Sequence, residues 1–144
     1  KLCVHIVLNH SFFLALNKKM IIVESCFFQD ISFLPEKYDT EFATFSKRKK
    51  KEFWFKAMFD NNVVGCGCLL ELSKKTVRLS NIFVIPSYRG RGIAQELVKE
   101  RERWARANGY KFIDTRTVKL FYIKHGYEEI KKYKGGGSWL KKEL

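Results

Sequence analysis

Four cysteines in 144 residues are too few and too scattered for a disulfide framework. Cys66-x-Cys68 has no second pair and no nearby histidine, so zinc-ligand spacing is missing and no metal is expected. Gly65 and Gly67 interleave with these thiols and put both on one face of a strand. Buried, reduced cysteines follow, and with them a reducing, cytoplasmic compartment. Long apolar runs are also absent. Those near the start (Val4, Ile6–Leu8 and Phe12–Leu16) are broken by Asn9-His10-Ser11 and are too short to span a bilayer. They lack a clear small-x-small cleavage site, so neither a signal peptide nor a membrane partner is expected. The chain carries no internal repeat, no linker long enough to divide domains and no recognised DNA- or RNA-binding motif.

Acidic residues are scarce: 15 Asp and Glu against 28 Lys and Arg, a formal net charge of +13. Such an excess fits an acidic substrate, a nucleic acid or simply a soluble lysine-rich surface. The densest run, Lys47-Arg48-Lys49-Lys50-Lys51, has no interleaved aromatics before Phe53-Trp54-Phe55 and reads as a solvated helix end.

A length of 144 residues and 46% hydrophobic content suit one domain with a sizeable core. The chain begins at Lys1, as a fragment, a processed product or an unconventional start. Met20-Ile21-Ile22-Val23 reads as a natural start running into a strand. Residues 1–19 are therefore expected to be an extension that the fold does not need, and residues 20–144 a single domain.

Pattern and punctuation give the order of elements. Met20–Cys26 reads as a strand and Asp30 to about Lys50 as a helical stretch, capped by Asp30 or Ser32, with Phe42 and Phe45 on one face. Glu52–Phe59, a turn at Asp60-Asn61-Asn62, Val63–Leu72, a turn at Ser73-Lys74-Lys75 and Thr76–Ile85 form a meander. A helix follows from Ile93 to about Asn108, stopped by Gly109. Then come a strand Tyr110–Thr115, a short helix Lys119–His125 stopped by Gly126, a strand Tyr127–Tyr133, a Gly135-Gly136-Gly137 turn and a last strand Ser138–Leu144.

The stretch Asn81–Ala94 organises the rest. An apolar run, Ile82-Phe83-Val84-Ile85, turns at Pro86-Ser87 and passes through Arg89-Gly90-Arg91-Gly92 into a helix. On that helix Ile93, Ala94, Leu97, Val98, Arg101, Trp104 and Ala105 recur at roughly three- to four-residue spacing. Strand, glycine-arginine loop and helix in that order build an anion site: unpaired first-turn amides, the positive end of the helix dipole, and glycines that let a diphosphate approach. A dinucleotide-binding loop needs a third glycine near Gln95, and a Walker loop needs Gly-Lys-Ser/Thr. Both are missing.

What remains is Arg89-x-x-Gly92-x-Ala94, which resembles the R/Q-x-x-G-x-G/A motif of the GNAT superfamily, the acetyl-CoA-dependent N-acetyltransferases. Phe121-Tyr122-x-Lys-x-Gly126-Tyr127 resembles a second landmark of that family, and the element order from Met20 to Leu144 is similar to the family's. The resemblance implies an α/β (α+β) GNAT fold: a mixed, mostly antiparallel twisted sheet of about six or seven strands flanked by helices. It implies acetyl-CoA as cosubstrate, with its arm on Ile82, Phe83 and Val84 in a gap between the fourth and fifth strands. Its diphosphate would lie at Arg89, Gly90, Arg91, Gly92, Ile93 and Ala94. It implies Tyr122 as the acid that protonates the leaving thiolate.

Asp114 matches a glutamate that serves some members as general base, and is otherwise a structural acid paired with Arg116. Glu71 and Asn81 compete for the base role, and His125 is a weaker candidate. His5 and His10 fall outside the resemblance. The family's asparagine before the tyrosine is missing here, and Arg116, Thr117 or Lys119 could replace its contact with the CoA arm. The expected reaction is transfer of acetyl from acetyl-CoA to a primary amine of a small molecule, a peptide N-terminus or a lysine, by a monomer or homodimer. The acceptor would be chosen by loops at residues 30–51 and 132–138. The alternatives are a GNAT-fold module that modifies or binds nucleic acid, suggested by the basic run and by Lys99, Arg101, Arg103 and Arg106, and an acyl-CoA binder without catalysis.

Overall fold

The computed structural model describes residues 20–38, 50–117 and 120–144. The proposed extension 1–19, Phe42 and Phe45, Lys119 and most of the basic run at 47–51 lie outside these residues. Seven strands form one sheet: β1 (Ile21–Cys26), β2 (Glu52–Phe59), β3 (Asn62–Ser73), β4 (Thr76–Val84), β5 (Phe112–Thr117), β6 (Glu128–Lys132) and β7 (Ser138–Glu143). Their order is β1-β2-β3-β4-β5-β7-β6, and every neighbouring pair is antiparallel except β4–β5. A parallel pair needs a crossover connection. Here it is α2 (Ile93–Ala107), which follows the short α1 (Phe33–Tyr38) and precedes α3 (Leu120–Ile123).

The meander turns tightly. Asp60 and Asn61 take φ of 49° and 61°, the left-handed pair that a two-residue type I′ hairpin needs, and Phe59 pairs with Asn62. Strand alternation then sorts the core into two layers. Phe55, Ala57, Phe59, Leu69, Val77, Leu79 and Ile113 pack with Ile93, Leu97, Val98 and Ala105 of α2. On the opposite face Trp54, Cys66 and Cys68 pack with Ile31 and Leu34. The thiols share one buried face as the glycine spacing predicts, and burial pushes each up to about 12. Full burial of a side chain such as Leu97 contributes about 1.5–3 kcal/mol.

Among the described residues three elements depart from expectation by two residues or more, one of them α3, which ends at Ile123 rather than His125. Between Asp30 and Tyr38 the helical stretch is broken: a 3-10 turn at Phe28–Asp30, where the Asp30 carboxylate accepts from the Phe27 amide at 3.0 Å, precedes α1. Strand β5 begins at Phe112 rather than Tyr110, because Tyr110 belongs to the helix terminus. With Gly109 at φ 82°, the Tyr110 amide reaches Ala105 O at 3.1 Å and the Gly109 amide reaches Arg106 O at 3.2 Å. That is a Schellman end. Among the described residues no helix is long and apolar enough to cross a membrane, and no group of His, Cys, Asp or Glu could hold a metal.

Candidate active site

The loop between β4 and α2 is shaped by its glycines. Gly90 and Gly92 take φ of 77° and 82°, and a Cβ on either would meet nothing within 4 Å, so open space lies before both. Gly92 is the N-cap of α2, and the Glu96 amide closes the first turn on Gly92 O at 3.0 Å. The amides ahead of Glu96 in that turn have no carbonyl within the helix to bond. Arg89 donates from Nε to Val84 O at 2.9 Å, tying the loop back to the strand it leaves. These residues border a cavity of about 430 Å³ lined by Ile82, Phe83, Val84, Arg89, Gly90, Gly92, Ile93 and Ala94, with Tyr88, Gln95 and Phe121. Its lining joins the glycine-arginine loop to the apolar side chains of Ile82, Phe83, Val84 and Phe121.

The cavity exists because two strands separate. β4 and β5 pair at Thr76–Phe112, Val77–Ile113 and Arg78–Asp114, and no further. Beyond that point β4 carries a bulge. Gly65 pairs with Val84, Cys66 with Phe83 and Cys68 with Ser80, so Asn81 and Ile82 share the place opposite Gly67. Asn81 takes φ 46° there. A second cavity, of about 330 Å³, lies in the fork, and Ile82 lines both cavities. Its lining includes Arg78, Ser80, Asn81, Arg101, Thr115, Arg116 and Tyr122.

Tyr122 is 6% exposed, with its ring against Tyr127. Burial raises its pKa, while the Arg101 charge and a hydrogen bond from Thr115 pull the other way. The net shift is upward, so the phenol keeps its proton at neutral pH. A buried chain holds this wall: Tyr127 donates to Glu102 Oε1 at 2.8 Å, and Lys142 donates to Glu102 Oε2 at 2.9 Å and to His125 O at 2.8 Å. It ties α2, β7 and the turn after α3 together.

Several expected site residues fall elsewhere. Arg91 is not part of the first cavity; its guanidinium lies over the rings of Phe59 and Tyr88. Asp114 lines neither cavity, and its partner is Arg78 rather than Arg116. Arg78 donates to Oδ1 at 2.6 Å and to Oδ2 at 2.7 Å, and Trp139 Nε1 donates to Oδ2 at 2.9 Å. Glu71 accepts a short hydrogen bond from Tyr110 and also lines neither cavity. His125 packs against Phe121. Arg101, read with the basic surface of the long helix, is fully buried. Lys99 and Arg103 pair with Glu96 and Glu100. Tyr88, Gln95, Arg78, Ser80 and Thr115 are lining residues that motif matching misses, and Phe121, part of the second landmark, lines the first cavity. Arg101 falls at an apolar-stripe spacing of α2, but its basic neighbours Lys99, Arg103 and Arg106 make it read as surface.

A mixed sheet parted between its parallel strands, with a glycine-capped helix at the gap, defines an acetyltransferase-like fold. The profile of the Acetyltransferase (GNAT) family matches residues 19–127, and the chain belongs to that family. Solved structures agree on the fold. A protein of Mycobacterium tuberculosis solved in complex with CoA aligns with TM-score 0.69 and 18% identity, over 85% of this chain and 99% of its own. An IAA acetyltransferase from Bacillus cereus aligns with TM-score 0.69 and 21% identity, over 87% and 100%. A GNAT family acetyltransferase from Elizabethkingia anophelis with acetyl-CoA bound gives 0.61 and 18%, over 86% and 98%. No curated protein matches the chain significantly in sequence.

Proposed function

We propose that the protein transfers an acetyl group from acetyl-CoA to a primary amine, by direct attack and with Tyr122 as general acid. The observation that carries the reading is that Ile82 lines both cavities, the first bordered by the helix-capping glycines and the second by buried Tyr122. The fit to CoA is good at both ends. Unpaired first-turn amides and the open space before Gly90 and Gly92 suit a diphosphate, and Ile82, Phe83, Val84 and Phe121 suit the thinner apolar arm. Relatives of this fold solved with CoA and with acetyl-CoA support the same cosubstrate.

In this reading β4 presents its unpaired edge to the arm, because the strands have parted by Ile82–Val84. The neutral amine attacks the thioester carbonyl, a C–N bond forms and the C–S bond breaks. The leaving sulfur takes its proton from Tyr122, and the surplus proton of the amine goes to solvent. Arg101 and the hydroxyl of Thr115 face the phenol and favour the tyrosinate formed as that proton leaves. Asp114 acts as a structural acid at the base of the fork.

Tyr122→Phe tests the mechanism, with CoA thiol release followed across an amine panel. The ring and its packing stay, so acetyl-CoA should bind as before. kcat should fall about 100-fold or more with little change in KM for acetyl-CoA. Full activity in this variant would sink the acid role.

A further inference from the structure

Arg101 is an anomaly in the second cavity. It is 0% exposed, yet among the described residues no carboxylate pairs with it. Its Nε donates to Leu97 O at 2.9 Å, and its Nη1 donates to Cys68 O at 3.1 Å and Ser80 O at 3.2 Å. These are neutral acceptors, and none cancels the charge. Its Nη2 is buried and finds no acceptor among the described residues. The fold makes room for this group: a Cβ on Gly67 would lie 2.8 Å from Arg101 Cζ and 2.9 Å from Nη1. Burying an uncompensated cation is costly, and an unmade hydrogen bond adds to the cost.

A second orphan lines the same cavity. Asn81 Nδ2, on the bulge of β4, is buried and finds no acceptor among the described residues. The half-buried Arg78 of the fork is spoken for, since it is neutralised by Asp114. What the wall of the cavity therefore offers among the described residues is one buried, unbalanced guanidinium and two idle nitrogen donors, with the exposed Arg116 also on the lining.

We propose that the second cavity is a carboxylate site, in which Arg101 and Asn81 hold a carboxylate borne by one of the two reacting molecules. This goes beyond the acetyl transfer proposed above and rests on its reading of the first cavity as the CoA site. A carboxylate matches a guanidinium in charge and accepts from several nitrogen donors at once. It has two possible sources. An acceptor that is an amino acid would be held by its carboxylate while its amine attacks. An acyl group with a distal carboxylate would be held by that end while its thioester carbonyl reacts. In either case the carboxylate is unchanged, the C–N bond forms, the C–S bond breaks and CoA leaves as the thiol.

The test has two activity arms and one binding arm, on the full chain. In the acceptor arm, acetyl-CoA is offered with amino acids and with the corresponding amino-acid amides. In the acyl arm, one amine is offered with acetyl-, butyryl-, malonyl- and succinyl-CoA. A preference of at least about tenfold in kcat/KM for the carboxylate-bearing partner is expected in one arm, which names the source. In the binding arm, without CoA and at fixed ionic strength, succinate should raise the Tm and succinamide should not.

Arg101→Met should erase both effects while the Tm shift with acetyl-CoA persists. Asn81→Asp should do the same by placing a negative charge in the site, and it decides the matter if Arg101→Met does not fold. Equal use of charged and neutral partners in both arms, with equal Tm shifts for succinate and succinamide, overturns the proposal. So does a carboxylate preference that survives in the folded variants. Failure of acetyl-CoA to bind, with the succinate effect intact, would instead refute the cosubstrate reading and leave the carboxylate site standing.

Discussion

Asp114→Asn separates a structural acid from a chemical base, and the structure sets the size of the effect. The carboxylate is 2% exposed and accepts three hydrogen bonds, two from Arg78 and one from Trp139. It also sits at the last paired position before β4 and β5 part, opposite Arg78. Asparagine keeps the shape but removes the charge, and turns one acceptor into a donor that faces other donors. Breaking one side of a buried ion pair costs about 3–5 kcal/mol. Arg78 keeps 17% exposure and some access to water, so the lower end, about 3 kcal/mol, is expected. At about 2–4 °C per kcal/mol for a chain of this size, Tm should drop by about 6–12 °C. Thermal melts by circular dichroism read the Tm, and CoA-release assays well below it read activity. The pH dependence of kcat should keep its parental shape. A Tm within about 1 °C of the parent together with lost activity would show that Asp114 acts on the proton after all.

Gly67→Ala should drive a Cβ into the Arg101 guanidinium, break its bonds to Cys68 O and Ser80 O and destabilise by about 2 kcal/mol; denaturant unfolding at parental midpoint would contradict this. Stability should also fall in alkali. Burial raises Cys66 and Cys68 to about 12 and Cys26 to about 11, so unfolded thiols ionise from about pH 9 while the folded ones resist. Favourable terms present below pH 9 are then lost as the pH climbs toward 12. Tm measured from about pH 8 to about pH 10.5 should fall more steeply in the parent than in a Cys66→Ala/Cys68→Ala variant, and parallel curves would refute the assignment.

The architecture was legible because its signals are local. The left-handed Asp60-Asn61 pair marks a hairpin, the apolar stripe of α2 marks a packed helix, and Arg89-x-x-Gly92-x-Ala94 marks the loop that joins it to β4. All are spacings within a few residues. The fork was less legible, since it depends on register between distant strands. Nothing local in Asp114-Thr115-Arg116 says that the acid meets Arg78, a residue 36 positions earlier, instead of its near neighbour. Nor does it show that Arg101 turns inward over Gly67, since a basic residue on a helix with Lys99, Arg103 and Arg106 reads as surface. The bulge that strains Asn81 is likewise a matter of one residue too many between β3 and β4. Conformation was local information; the chemistry of the site is a long-range one.

The most direct test of the account is a calorimetric titration of acetyl-CoA into the parent chain and into Gly92→Asp. Gly92 sits at φ 82°, where a side chain is strained, and the new carboxylate would face the diphosphate at the cap of α2. The parent should bind one acetyl-CoA per chain, and the folded variant should lose at least about 100-fold in affinity, about 2.7 kcal/mol. Equal affinity in the two proteins would contradict the placement of the cosubstrate, and with it the acyl-transfer reading built on that loop.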